Sequence, residues 1–355
     1  MKKVYIVTEC NKYVPNFGET LQAVALNRVI SQLGFITITL SPDSEKLEFE
    51  LGDIIRAYRF ERFRKKNIRN TILRTNDIKE MEKITADAEY IVCGSDCIWN
   101  EISIKDYYFL NFHSNGKKIA YAPSLRDSIV VSSRYKKNIK NWINDISYLS
   151  TRETEGSRLI SEFTGRDCAT VIDPTLLIPT DEWKLMMYRK RLIRKRYILV
   201  YFIGKWDILK EYIAPIKRSF GCETLVYIDE CNRVIYEDGE PAEIKGPIGP
   251  AEFMALIYGA EAILTDSFHG TAFSINFNKP FMSFQRIGNR KIMYDYDCRI
   301  TNILNLLGID GHFVNRKGQN KTLDMIDYSF VNDRLNEERE RSLGFLRIAL
   351  DLQCE

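Results

Sequence analysis

The chain has 355 residues, a length that favours two domains. Its apolar content of 45% suffices for two cores, and a net charge of +3 with 28% charged residues argues against nucleic acid as a partner. Eight scattered cysteines without paired ligand spacing argue against a disulfide framework or a structural zinc site.

Residues 3–8 are an apolar run that reads as a first buried parallel strand. After a polar loop ending in Asn16-Phe17-Gly18, residues 19–33 place Leu21, Ala25, Val29 and Leu33 four apart, one face of a helix that Gly34 ends. The loop lacks the three glycines of a dinucleotide fingerprint. Asn16 and Gly18 sit between a strand end and a helix start, where ligand contact and plain turn chemistry are equally good readings. Residues 36–40 form a second strand. The basic stretch 47–75, with Tyr58, Phe60 and Phe63 among its arginines, is expected to be helical and to cover the site as a mobile flap.

Residues 90–93 read as a strand turning at Gly94-Ser95-Asp96, and residues 118–122 as another, followed by Pro123-Ser124. A helix is expected over about 131–144 and a strand over 147–151, ending at Arg152-Glu153. A helix over 153–163 stops at Gly165, and a strand over 169–172 leads into Asp173-Pro174-Thr175. Such βα alternation marks a parallel sheet covered on both faces. The basic segment 189–196 is the expected domain boundary. The pattern restarts with a strand over 197–203, a helix over 207–220, a strand over 223–228 and a helix over 251–258. Later helices are expected at 299–307 and 327–352. The organisation expected is α/β: an N-terminal Rossmann-like lobe over 1–188, a second over 189–320, and a helical segment 321–355 packing back on them.

Residues 262–274 are the most informative stretch: a short apolar strand, the polar turn Asp266-Ser267-Phe268-His269-Gly270, and a helix broken by Asn278-Lys279-Pro280. Strand-to-helix turns of this kind bind ligands in open α/β sheets, and helix N-termini attract anions. Asp266, Ser267, His269 and Gly270 offer an acceptor, a hydroxyl, an imidazole and close backbone access; a plain capped connection is the alternative.

Five segments in register resemble the polysaccharide pyruvyl transferase family: residues 16–26, 94–100, 151–156, 173–175 and 265–273 with Lys279-Pro280. Cys97 departs from that family's Gly-Ser-Asp-Gln motif, and Pro123-Ser124-Leu125 replaces a smaller-residue version. The resemblance implies a GT-B-like fold with its active site in the cleft between the lobes. It implies transfer of a pyruvyl group from phosphoenolpyruvate to two hydroxyls of one sugar, forming a cyclic ketal on a polysaccharide or its lipid-linked precursor. Phosphoenolpyruvate would be the donor substrate, with no cofactor and no metal. The motif histidine corresponds to His269 and the arginine-bearing segment to Arg152.

That chemistry requires protonation of the methylene carbon, stabilisation of an oxocarbenium-like centre and release of phosphate. Arg152 would hold one anionic group of the donor, and Ser267 and Gly270 at the helix start the other. His269 would transfer a proton or bind phosphate. Asp266 would orient the imidazole or cap the helix, and Arg299 would lie near the donor phosphate. Asp96, Asn100 and Asp173 are candidates for sugar hydroxyls, although Asp173 before proline equally suits a strand end; Arg152 could instead pair with Glu155. Asp295-Tyr296-Asp297 resembles a metal-binding Asp-x-Asp only superficially. With no secretory leader and no apolar run of about 18 residues, the expected location is cytoplasmic. The basic stretches would suit a lipid-phosphate-linked acceptor and peripheral contact with the inner face of the membrane. Two other readings stand beside this one. A GT-B glycosyltransferase using a nucleotide sugar is disfavoured because Glu252 and Glu261 are nine residues apart rather than the usual eight. The other is a catalytically idle subunit of a polysaccharide assembly complex.

Overall fold

The structure, a computed structural model, describes residues 2–12, 15–42, 51–101, 104–125, 132–244, 246–287, 298–315, 323 and 325–352. Two compact units emerge. Met1–Leu47, Arg64–Ile178 and Asn336–Glu355 form the first; Glu48–Phe63 and Pro179–Leu335 form the second.

The first unit is built on six parallel strands: β1 (Lys3–Val7), β2 (Ile36–Ser41), β3 (Ile72–Arg74), β4 (Tyr90–Cys93), β5 (Lys117–Ala120) and β6 (Ile146–Tyr148). Their order is β3-β2-β1-β4-β5-β6. Helices α1 (Phe17–Gln32), α2 (Leu51–Asn67), α3 (Ile78–Ile84), α4 (Ser133–Trp142), α5 (Thr154–Thr164) and α6 (Pro174–Leu177) connect them, with a small parallel pair of β7 (Ser150–Thr151) and β8 (Ala169–Thr170). Val4, Ile6, Val7, Ile91, Val92 and Cys93 are all fully buried, as strands covered on both faces require. Strand order reverses between β1 and β4. The connections leaving these neighbours run to opposite sides, opening a crevice at their carboxyl ends.

The second unit repeats this plan. Its elements are α7 (Thr180–Met186), β9 (Ile198–Tyr201), α8 (Lys210–Phe220), β10 (Leu225–Ile228), β11 (Val234–Tyr236), α9 (Pro250–Gly259), β12 (Ala262–Thr265), α10 (Phe268–Asn276), β13 (Phe281–Phe284), α11 (Cys298–Leu307), β14 (Phe313–Val314) and the start of α12 (Tyr328–Ala349), which from Asn336 onward belongs to the first unit. The order is β11-β10-β9-β12-β13-β14, with β11 antiparallel and the remaining pairs parallel. Here the reversal falls between β9 and β12.

Several expectations change. The boundary falls at Ile178/Pro179 rather than at residue 188, and most of α2, up to Phe63, and the chain up to Leu335 group with the second unit. The expected strand over 147–151 is two: β6 pairs with β5, and after Leu149 β7 leaves that sheet to pair with β8. Edge strands β3, β11 and β14, two or three residues long, carry too little alternation to be read from sequence. Helix α2 is not a loose cover: Phe60, Phe63 and Arg64 are buried, while Tyr58 stands out at 63% exposure. Along α12, Arg339 Nε donates to Leu176 O at 2.7 Å.

Candidate active site

In the second unit the motif turn lies at the reversal point of the sheet. Ser267 caps α10: its Oγ accepts from Gly270 N–H at 3.3 Å, and its carbonyl accepts from Thr271 N–H. Phe268 and His269 therefore occupy the first turn, where backbone N–H groups find no carbonyl within the helix. His269 is 9% exposed, with its ring edge-on to Phe268 at 5.2 Å.

Asp266 does not cap this helix. Fully buried, it reaches across the reversal point, where Oδ1 accepts from Ile203 N–H and Oδ2 from Gly204 N–H, each at 2.7 Å. Arg286 lies against it, Nε 3.6 Å from Oδ2, with an Nη2 donating to the Asp266 carbonyl at 3.1 Å. The carboxylate thus ties the end of β9 to the turn after β12 and anchors an arginine that sequence reasoning missed. Gly270 is also read differently. A Cβ there would overlap Thr265 Oγ1 and come within 3.1 Å of its Cβ and Cγ2, so glycine lets α10 sit tightly on its own strand. Arg299 is buried at the start of α11. Asp295-Tyr296-Asp297 lies outside the described residues.

In the first unit, Arg152 is 3% exposed and clamped between two carboxylates. Its Nη1 donates to Asp173 Oδ2 at 2.7 Å, and Nε to Glu153 Oε1 at 3.2 Å. Nη2 lies 3.8 Å from Cys97 Sγ. Asp173 also accepts from Ser95 Oγ, from Thr175 N–H and from Thr175 Oγ1, and it caps α6. Glu153 Oε1 accepts from Ser124 Oγ at 2.6 Å. These bonds lace together the turns after β4, β5, β7 and β8. Two carboxylates around one guanidinium balance its charge within the first unit. Arg152 and Asp173 thus form a buried ion pair tying these turns together, and Glu155 pairs with Arg158.

Asn16 caps α1, its Oδ1 accepting from Gly18 N–H at 2.9 Å and Glu19 N–H at 3.3 Å, which is turn chemistry for both Asn16 and Gly18. Asn100 folds back onto its own turn, Nδ2 donating to Cys97 O. Asp96 holds a left-handed backbone (φ 86°), rare for a residue with a side chain, and its Oδ1 accepts from Cys97 N–H.

What sequence reasoning missed is the company Asp96 keeps. Glu9, two residues beyond β1, accepts from Tyr108 Oη, and Glu19, in the first turn of α1, accepts from Asn16 Nδ2 at 2.9 Å. The second Glu19 oxygen is buried without a hydrogen-bond partner. Burial drives the Glu19 carboxyl well above the usual carboxylate range, the nearby charges of Glu9 and Asp96 add to this, and Arg64 and the Asn16 bond oppose it. Glu9 is raised too, by burial first and Asp96 second, against the pull of Tyr108 and Lys105. Three acids thus gather at the reversal point between β1 and β4. Glu19 lies within a motif segment and Glu9 beside a strand end; only pairing β1 with β4 brings them to Asp96. Among the described residues no group of three or more His, Cys, Asp or Glu side chains could hold a metal ion.

The family model for polysaccharide pyruvyl transferase matches residues 16–286, well over half of the chain. The chain belongs to the polysaccharide pyruvyl transferase family. The match begins at the cap of α1 and ends at Arg286, enclosing both reversal points, and the family is one of enzymes. No curated protein matches the sequence. Among solved structures, S. aureus MnaA, determined with UDP, is 12% identical, with 100% of this chain and 98% of that one covered and a TM-score of 0.50. The UDP-GlcNAc 2-epimerase of Methanocaldococcus jannaschii is 13% identical over 97% of this chain and 93% of its own, with a TM-score of 0.51. At such identities the likeness shows the fold alone, and that fold is GT-B-like.

Proposed function

We propose that this pyruvyl transferase moves the pyruvyl group of phosphoenolpyruvate onto two hydroxyls of one sugar, with phosphate as the leaving group. The observation that carries the reading is the family match enclosing a capped helix start with His269 in its first turn. The donor's phosphate and carboxylate suit the α10 N-terminus, His269, Arg299 and Arg286. The methylene carbon of the enol gains a proton to become methyl, and the first sugar hydroxyl adds to the cationic carbon. Phosphate then departs with the C–O electron pair, and the second hydroxyl closes the ketal. Of the two hydroxyl protons, one balances the new methyl C–H and the other leaves with phosphate.

The acids of the first unit suit the acceptor. Crowded carboxyls do not all ionise together. An ionised member can accept a hydroxyl proton while a neutral one donates a hydrogen bond to a neighbouring hydroxyl. A lipid-linked oligosaccharide as acceptor, in the cytoplasm and at the membrane's inner face, completes the proposal.

Calorimetric titration with phosphoenolpyruvate and, separately, with UDP-sugars tests it, using wild type, His269→Ala and Arg299→Ala. Phosphoenolpyruvate binding weakened about tenfold or more by each substitution is the expected result. Binding of a UDP-sugar alone would replace this reading with nucleotide-sugar transfer.

A further inference from the structure

We propose that residues 185–196 of the second unit form a docking face for an anionic lipid bilayer. The face starts on α7. Trp183 and Met186 turn inward, Trp183 meeting the Phe273 ring at 5.1 Å, while Leu185 is 64% exposed and Tyr188 42%. Beyond it the chain has no regular structure, yet it is fastened. Tyr188 N–H donates to Ala251 O at 3.0 Å, Ile193 is fully buried, and Arg191 donates to the carbonyls of Ile193 at 2.8 Å and Lys195 at 3.2 Å. The fastened loop displays Arg189, Lys190, Arg194 and Lys195, all exposed.

The charge is concentrated here. Residues 181–196 carry a net +5 although the whole chain carries +3. Nearby acids offset part of it. Asp181 pairs with Lys184, Glu261 with Arg196, and Glu243 is held below the usual carboxylate range by the Tyr236 hydroxyl and by backbone bonds, against its burial, with the nearby Arg194 charge adding to this. Among the described residues Arg189 and Lys190 have no carboxylate partner. A row of cations flanked by an exposed leucine and tyrosine fits a surface with anionic headgroups over an apolar layer. A water-soluble polyanion would meet the cations and leave Leu185 and Tyr188 in water. No helix among the described residues is long and apolar enough to cross a membrane, so attachment through this face is peripheral.

The docking face rests on the proposed reaction only for its use, so the two can fail separately. The experiment is co-sedimentation with vesicles of phosphatidylcholine, with and without phosphatidylglycerol. Wild type should bind the anionic vesicles alone and release as salt rises. The quadruple variant Arg189→Gln, Lys190→Gln, Arg194→Gln, Lys195→Gln should bind about tenfold or more weakly. Leu185→Ser with Tyr188→Ser should lower vesicle binding several-fold and leave binding to heparin unaltered. Circular dichroism of each variant should match wild type, because every substituted side chain is exposed. Equal binding to neutral vesicles, wild-type binding by the quadruple variant, or wild-type vesicle binding by the serine variant would each overturn the proposal. The last would mark a general polyanion face. Turnover of a soluble acceptor by the quadruple variant reports on the reaction independently.

Discussion

At the scale of single residues, Arg152 shows how one arginine supports two readings until its neighbours are known. Sequence places it at a strand end beside a family motif; the structure surrounds it with Asp173 and Glu153. Removing one partner of a buried ion pair leaves charge uncompensated and costs about 3–5 kcal/mol. Arg152→Ala should therefore lower the chemical denaturation midpoint steeply. Unchanged stability with lost phosphoenolpyruvate affinity would return the residue to a donor-binding role. Glu19 carries the pH prediction. Its folded-state value lies above the unfolded one, so the fold binds the extra proton, and the stabilisation is full below the unfolded value and lost as pH rises through the folded one. Glu19→Gln, which stays neutral, should flatten the fall in stability as pH rises above the ordinary carboxylate range. It should also diminish activity if the carboxyl serves the acceptor. Denaturation curves at several pH values check the first point, and turnover checks the second.

At the scale of elements, the connection from β12 to α10 explains why the motif reads as it does. Ser267 satisfies one first-turn donor, Thr265 Oγ1 accepts from Ser267 N–H and donates to the Tyr201 carbonyl, and Gly270 leaves room for that threonine. Gly270→Ala forces a methyl into the packed junction, and overpacking of this kind costs about 1–3 kcal/mol. Thermal unfolding of the variant measures it; an unchanged midpoint would show that the junction can open without cost. The strands β4 and β12 and the end of α5 were legible because local signals agree there: buried apolar runs, and Gly165 in a left-handed C-cap. The split of residues 147–151 was not, since a strand's choice of sheet depends on its neighbours.

At the scale of the molecule, the order 3-2-1-4-5-6 appears twice, and each copy puts motif residues at its reversal point. Helix α12 ends in the first unit. There Ser342 Oγ accepts from Ile172 N–H at 3.0 Å, Lys117 pairs with Asp351, and Leu346 is fully buried. Leu346→Ala should cost about 2–5 kcal/mol, read as a lower denaturation midpoint. An unchanged midpoint would show that the last helix contributes little to the core.

By itself the sequence determined the α/β class, two repeated sheets, the family and the segments that reach the reversal points. Those properties are written in local periodicity, in glycine and proline punctuation, and in motif order. Tertiary structure alone decided which charges meet. It set Arg152 between two carboxylates, turned Asp266 across to the loop after β9, and gathered Glu9, Glu19 and Asp96 from two strand ends and a helix start. The physical reason is that a carboxylate's role depends on its burial and on the charges around it, and strand pairing sets both across long sequence separations.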